Sequence, residues 1–135
     1  MPKFTGGCSC GQARFSADAE PAFVGVCHCR ACQKKSGSAF AIIVALPKQA
    51  LTVTGDVTTY DAVGDSGKAV HYRFCPRCGS PVTRNADLLP DLMMIHAGTL
   101  DDPELVKPPM EIYCDEKQSL VDLGGGLQRF AKMPG

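Results

Sequence analysis

The sequence predicts a mainly β fold with short helices. Two observations carry that expectation. Short runs alternate apolar and polar residues, as Val70, Tyr72 and Phe74 alternate with His71 and Arg73, which is the period of a half-buried strand. No long helix, linker or internal repeat is visible. Seven of the eight cysteines fall in two close-spaced pairs and a triplet, a spacing that suits shared metal ions better than cross-links.

At 135 residues the chain is expected to form one domain over residues 1–135, with a modest core that metal would help to hold. Fourteen basic residues balance fourteen acidic ones. That argues against nucleic acid and anionic membrane, since both favour a basic surface. The first residues lack an apolar leader, and no run approaches the roughly 18 apolar residues of a membrane span. A soluble, cytoplasmic protein with reduced thiols is therefore expected, and a disulfide scaffold is the weaker alternative.

In chain order, Cys8 and Cys10 lie between glycines, and extended backbone would turn both thiols to one face. Ala13 and Phe15 continue the alternation into a strand. Phe23 to Cys27 is a second strand. Gln33 to Ser36 reads as one or two helical turns stopped by Gly37, and a helix starting near Cys29 would point its N-terminus at the neighbouring thiols. Phe40 to Leu46 is an apolar run bounded by Pro47, the mark of a buried strand. Leu51–Thr54 and Val57–Tyr60 flank Gly55-Asp56 and read as a hairpin. Asp61 to Lys68 is a surface loop, and the strand around Tyr72 leads into Cys75. Leu92 to Ala97 and Glu111 to Cys114 read as strands, with a proline-containing loop from Asp101 to Pro109 between them. Leu127 to Lys132 is a short helix.

The cysteines carry the chemistry. Cys8, Cys10, Cys75 and Cys78 make a complete four-thiolate set, and joining its halves closes a loop of about 65 residues, so the metal would clip the fold together. Cys27, Cys29 and Cys32 are three thiols within six residues. Three protein ligands and an open position describe a catalytic zinc. A redox pair at Cys29 and Cys32, or a site completed by His28, are the alternatives. On an extended segment His28 points away from the cluster. Arg30, Lys34 and Lys35 stand beside it and can attract carboxylates of an acidic thiol; the alternative is a solvated basic turn. Cys114 stands alone; such a thiol is more often a core residue than a ligand, and it is assigned no role.

Gly-Cys-x-Cys-Gly-x-x-Arg at Gly7 to Arg14, Cys-His-Cys-x-x-Cys at Cys27 to Cys32 with Ser36-Gly37 behind it, and Phe-Cys-x-x-Cys-Gly-Ser at Phe74 to Ser80 follow one another in the chain. In this order they resemble the glutathione-dependent formaldehyde-activating enzyme family. The resemblance implies an Mss4-like β fold, a structural zinc on Cys8, Cys10, Cys75 and Cys78, and a catalytic zinc on Cys27, Cys29 and Cys32. It also implies carbon–sulfur lyase chemistry on a thiol–aldehyde adduct, with a glutathione-like small-molecule thiol as partner. Where the family commonly carries His-Ile and then Pro-Trp, this chain reads Glu111-Ile112 and Gln118-Ser119, and it has no Trp. A non-enzymatic zinc-binding interaction module on the same fold is the alternative function. A zinc-ribbon nucleic-acid binder is disfavoured by the balanced charge.

Overall fold

The structure is a computed structural model and describes residues 3–134. It is mainly β. A three-stranded antiparallel sheet joins β1 (Phe4–Gly7), β2 (Arg14–Ala17) and β5 (Leu51–Thr54). An open eight-stranded sheet takes β3 (Phe23–Cys27), β4 (Ala41–Pro47), β6 (Thr58–Val63), β7 (Ala69–Phe74), β8 (Pro81–Ala86), β9 (Leu92–His96), β10 (Met110–Ile112) and β11 (Gln128–Arg129). Its order is β11-β10-β3-β4-β9-β8-β7-β6, antiparallel except where β10 meets β3 and β11. The α-helix, α1, runs from Arg30 to Ser36. Among the described residues no helix is long and apolar enough to cross a membrane.

The alternation of β4 sorts the interior into two cores. Val44 and Leu46 face the small sheet and pack with Phe4, Phe15, Val82 and Ile95. Ala41 and Ile43 face the other way, toward Cys27, Cys32 and Ile112. Because both faces are covered, β4 reads as a continuous apolar run rather than an alternating one. Leu46 and Ile95 are fully buried, and each contributes roughly 1.5–3 kcal/mol of transfer energy.

Several expectations are met closely. β3 spans Phe23–Cys27, and α1 starts directly after Cys29 and stops at Gly37, whose N–H bonds the Gln33 carbonyl at 2.8 Å. Others are corrected. Leu51–Thr54 and Thr58–Val63 do not form a hairpin: β5 pairs with β2 and β6 with β7, in different sheets. Gly55-Asp56 is the crossing between them, held by the Gln12 side chain, which donates to the Asp56 carbonyl at 2.7 Å and accepts from the Asp56 N–H at 2.9 Å. The loop expected from Asp61 is shorter, because β6 continues to Val63. Cys8 and Cys10 sit in a turn between β1 and β2 rather than on a strand, closed by the Gly11 N–H on the Cys8 carbonyl at 3.1 Å. The tail from Leu127 is not helical. Gln128–Arg129 adds a parallel strand to β10, and the Phe130 N–H bonds the Glu111 carbonyl at 3.0 Å.

Candidate metal centres and the adjoining cavity

Two turns bring Cys8, Cys10, Cys75 and Cys78 together, and their four sulfurs lie within 4.8 Å of one another. The Cys8–Cys10 and Cys10–Cys75 separations are 3.6 and 3.7 Å. A tetrahedron of sulfurs about 2.3 Å from zinc has edges of about 3.8 Å, so the set fits that ion. The backbone supports it. Gly11 and Gly79 adopt φ of 83° and 77° just past the second cysteine of each pair, a conformation open to glycine. The tightened turns aim N–H groups at sulfur: Ala13 at Cys8 and Arg77 at Cys75, both 3.3 Å. Gln12 adds its side-chain amide to Cys75 at 3.1 Å. Cys8 and Cys75 are buried, and Cys10 and Cys78 are exposed.

Cys27, Cys29 and Cys32 converge on the opposite face of the large sheet, again within 4.8 Å of one another. Cys27 ends β3. Cys29 is the N-cap of α1, its sulfur accepting the Cys32 N–H at 3.3 Å, and Cys32 follows in the first turn. The Cys27–Cys29 sulfur separation is 3.4 Å. Three soft sulfurs suit zinc as well. The Cys27 and Cys29 thiols donate toward Cys32 and, with the Arg84 guanidinium, pull its pKa down to about 3 against the effect of burial. Cys29 and Cys32, with burial, push the Cys27 thiol up.

Arg84 is the residue of this candidate site that the sequence does not reveal. It lies on β8, only 8% exposed. One terminal nitrogen donates to the Cys32 sulfur at 3.5 Å and the other to His96 Nε2 at 3.1 Å, while Nε has no partner. Burial, and then the charge of Arg84, hold His96 down at about 4, so it is neutral near neutral pH. The cross-strand register explains the placement. Tyr60, Tyr72, Arg84, Met94 and Ala45 stand opposite one another in turn across five strands. A β-bulge where Phe74 meets Pro81 sets Arg84 against Tyr72.

A cavity of about 200 Å³ opens here, lined by Lys34, Lys35, Tyr72, Arg84, Met94 and His96 among others. Lys35 lies 4.2 and 4.4 Å from the ring centres of Tyr60 and Tyr72, and so fastens α1 over the edge of the sheet. Of the three cations expected beside the cluster, the structure brings Lys34 and Lys35 to the cavity. Arg30 lies elsewhere, with its side chain on Gln33 and its N–H on Glu116. Tyr113 packs against the three-sulfur core with a left-handed φ of 55°.

His28 turns away from the sulfurs, as the extended segment predicts, and is completely buried. Its Nε2 meets Glu111 Oε1 at 2.8 Å, and Glu111 Oε2 accepts from Arg129 at 3.0 Å. The Cys114 sulfur lies within 4.8 Å of both His28 and Glu111. His28 thus belongs to a separate grouping and does not complete the three-thiol set.

A small open-sheet β protein with one four-thiol set and one three-thiol set beside a cationic cavity is defined by these features. The chain belongs to the glutathione-dependent formaldehyde-activating enzyme family, whose model matches residues 3–116. A crystal structure of a Rhodobacter sphaeroides protein is similar, with a TM-score of 0.58 and 22% sequence identity over 77% of this chain and 91% of that one. At that identity the likeness speaks for the fold. Comparison with curated proteins gives no match.

Proposed function

We propose that the protein is a zinc-dependent carbon–sulfur lyase that makes and breaks the adduct of a small thiol with an aldehyde. Cys8, Cys10, Cys75 and Cys78 hold a structural zinc in this proposal, and Cys27, Cys29 and Cys32 a catalytic one. Bound on three thiolates with a position open, zinc supplies Lewis acidity and favours the thiolate form of an incoming thiol. The family membership, and a three-thiol set joined through Arg84 to a cationic cavity, support this reading, and the second observation carries it.

The chain's own residues do the rest. Lys34 and Lys35 draw an acidic, glutathione-like thiol to the cavity mouth. Arg84 offsets the negative charge gathered on the sulfurs. In the forward direction the sulfur–carbon bond forms, the carbonyl π bond opens, and the thiol proton ends on the new hydroxyl oxygen. Cleavage is the reverse. Eight thiols without a disulfide partner fit the reducing cytoplasm.

Cys29→Ser tests the proposal. It should lose the second zinc and all thiol–aldehyde turnover while its melting temperature stays within a few degrees of wild type, because the four-thiol set is intact. The readouts are zinc content by mass spectrometry and an adduct assay. Equal zinc and equal turnover in both proteins would end the enzymatic reading and favour an interaction module on the same fold.

A further inference from the structure

Arg84 is a buried cation without a carboxylate partner among the described residues. Burying a guanidinium is costly unless its charge is matched and its donors are used. Here the Cys32 sulfur answers the charge and takes one terminal nitrogen, the His96 imidazole takes the other, and Nε is left over without a partner. The cavity that Arg84 lines has no Asp or Glu in its walls, and Lys34, Lys35 and Arg73 add three more positive charges to its lining. The Cys32 sulfur and His96 Nε2 each account for one donor of this fork. The others lack the planar anion that a guanidinium recognises best.

We infer that the cavity is a carboxylate subsite built on Arg84, for a substrate whose carboxylate lies one or two bonds from its reacting atom. The inference rests on the function proposed above. Distance sets the substrate class. The Arg84 nitrogen is 3.5 Å from the Cys32 sulfur. A carboxylate oxygen about 2.8 Å from that nitrogen lies within roughly 6 Å of the sulfur. In an α-oxo acid the carbonyl carbon is bonded directly to the carboxylate, so a molecule held on the fork keeps its reacting carbon on the Cys32 side of Arg84. In a short mercapto acid the sulfur is one carbon away, with the same result. The carboxylates of glutathione stand at the ends of a tripeptide and fall beyond that reach, at the mouth where the lysines are. Formaldehyde carries no anion and gives Arg84 nothing to bind. With an α-oxo acid the step balances as before: sulfur bonds to the carbonyl carbon, the C=O π bond opens, and the thiol proton passes to the hydroxyl.

The test uses zinc-loaded wild type, Arg84→Gln and Arg84→Lys. Ligand-observed NMR measures the affinity of propionate, a carboxylate too weak as a chelator to strip the metal. The adduct assay compares glyoxylate with formaldehyde, and mercaptoacetate with 2-mercaptoethanol. Propionate should bind Arg84→Gln on the order of tenfold or more weakly than wild type. Arg84→Lys keeps a charge beside Cys32 but loses the fork, and it should still bind propionate several-fold more weakly, which covers the case of Arg84→Gln shedding its metal. A kcat/KM advantage for glyoxylate over formaldehyde that disappears in the variants puts the carboxylate on the aldehyde. The same pattern for mercaptoacetate puts it on the thiol. Equal propionate affinity in all three proteins overturns the inference, as does no binding by wild type. Formaldehyde turnover without carboxylate binding would sink the subsite and leave the lyase standing. Arg84-dependent propionate binding without turnover of any pair would do the opposite.

Discussion

His28 Nε2 lies 2.8 Å from Glu111 Oε1, and both side chains are fully buried, although the residues are 83 positions apart. Their contact ties β10 to the segment between Cys27 and Cys29. Glu111→Ala would leave the imidazole without that partner and a cavity beside it, at a cost of about 2–4 kcal/mol. Glu111→Gln retains a hydrogen-bonding oxygen and should lose roughly half as much. Urea unfolding of the three proteins decides the matter, and equal midpoints would show that the pair contributes nothing.

Cys75→Ser removes a buried ligand of the four-thiol set. Structural zinc in small domains accounts for about 10–16 kcal/mol of apparent binding free energy, more than a domain of this size has to spare. The variant should contain one zinc fewer and be largely unfolded at room temperature by circular dichroism. An unchanged melting curve with unchanged metal content would refute the clip.

Lys34 should act on binding rather than on folding, whereas losing Lys35 also removes its contacts with the Tyr60 and Tyr72 rings and should cost a little stability. Exposed ion pairs contribute about 0.2–1 kcal/mol each, so Lys34→Ala with Lys35→Ala should raise the dissociation constant of glutathione roughly threefold to tenfold. Added salt should erase the difference between the two proteins, because such pairs are screened. If the two constants agree at low salt, the basic turn is only a solvated face.

His71 stands between two carboxylates, with Nδ1 2.6 Å from Asp61 and Nε2 2.8 Å from Asp87. Asp61 and then Asp87 raise its pKa above the ordinary 6.5. The charged ring is favoured in the folded chain, so its stabilising effect is full below that value and fades as the pH climbs through the raised pKa. His71→Gln should therefore be less stable than wild type in mild acid, and the gap should close in alkaline buffer. Denaturant midpoints across that range provide the check; a gap that widens with rising pH contradicts the assignment.

Much of the β framework was legible because its strands carry their own signal. β3, β4, β7 and β9 are apolar or alternating runs, and the cysteine spacings located both sulfur sets. β8 was missed. Proline at its start and Arg84-Asn85 near its end have little strand preference, and its conformation comes from pairing with β7 and β9. Arg84 was missed with it, since nothing local marks a residue whose importance lies in facing Cys32 across 52 positions. The hairpin at Gly55-Asp56 failed for a related reason. The local turn signal was weak, and Gln12 and β2 claimed that segment for the other sheet. Gln128–Arg129 was read as helix because two residues show no period, and their strand pairing is supplied by β10.

The four-thiol set is sheltered on one side only. Cys8 and Cys75 face the interior, whereas Cys10 and Cys78 meet solvent. A chelator, an oxidant or a stray electrophile thus has two sulfurs within reach without waiting for the chain to open. With zinc held there as proposed, ageing of the protein would begin as chemistry at its surface and end as unfolding, metal release preceding any loss of secondary structure. Its shelf life would be governed by reductant and trace zinc in the buffer more than by temperature.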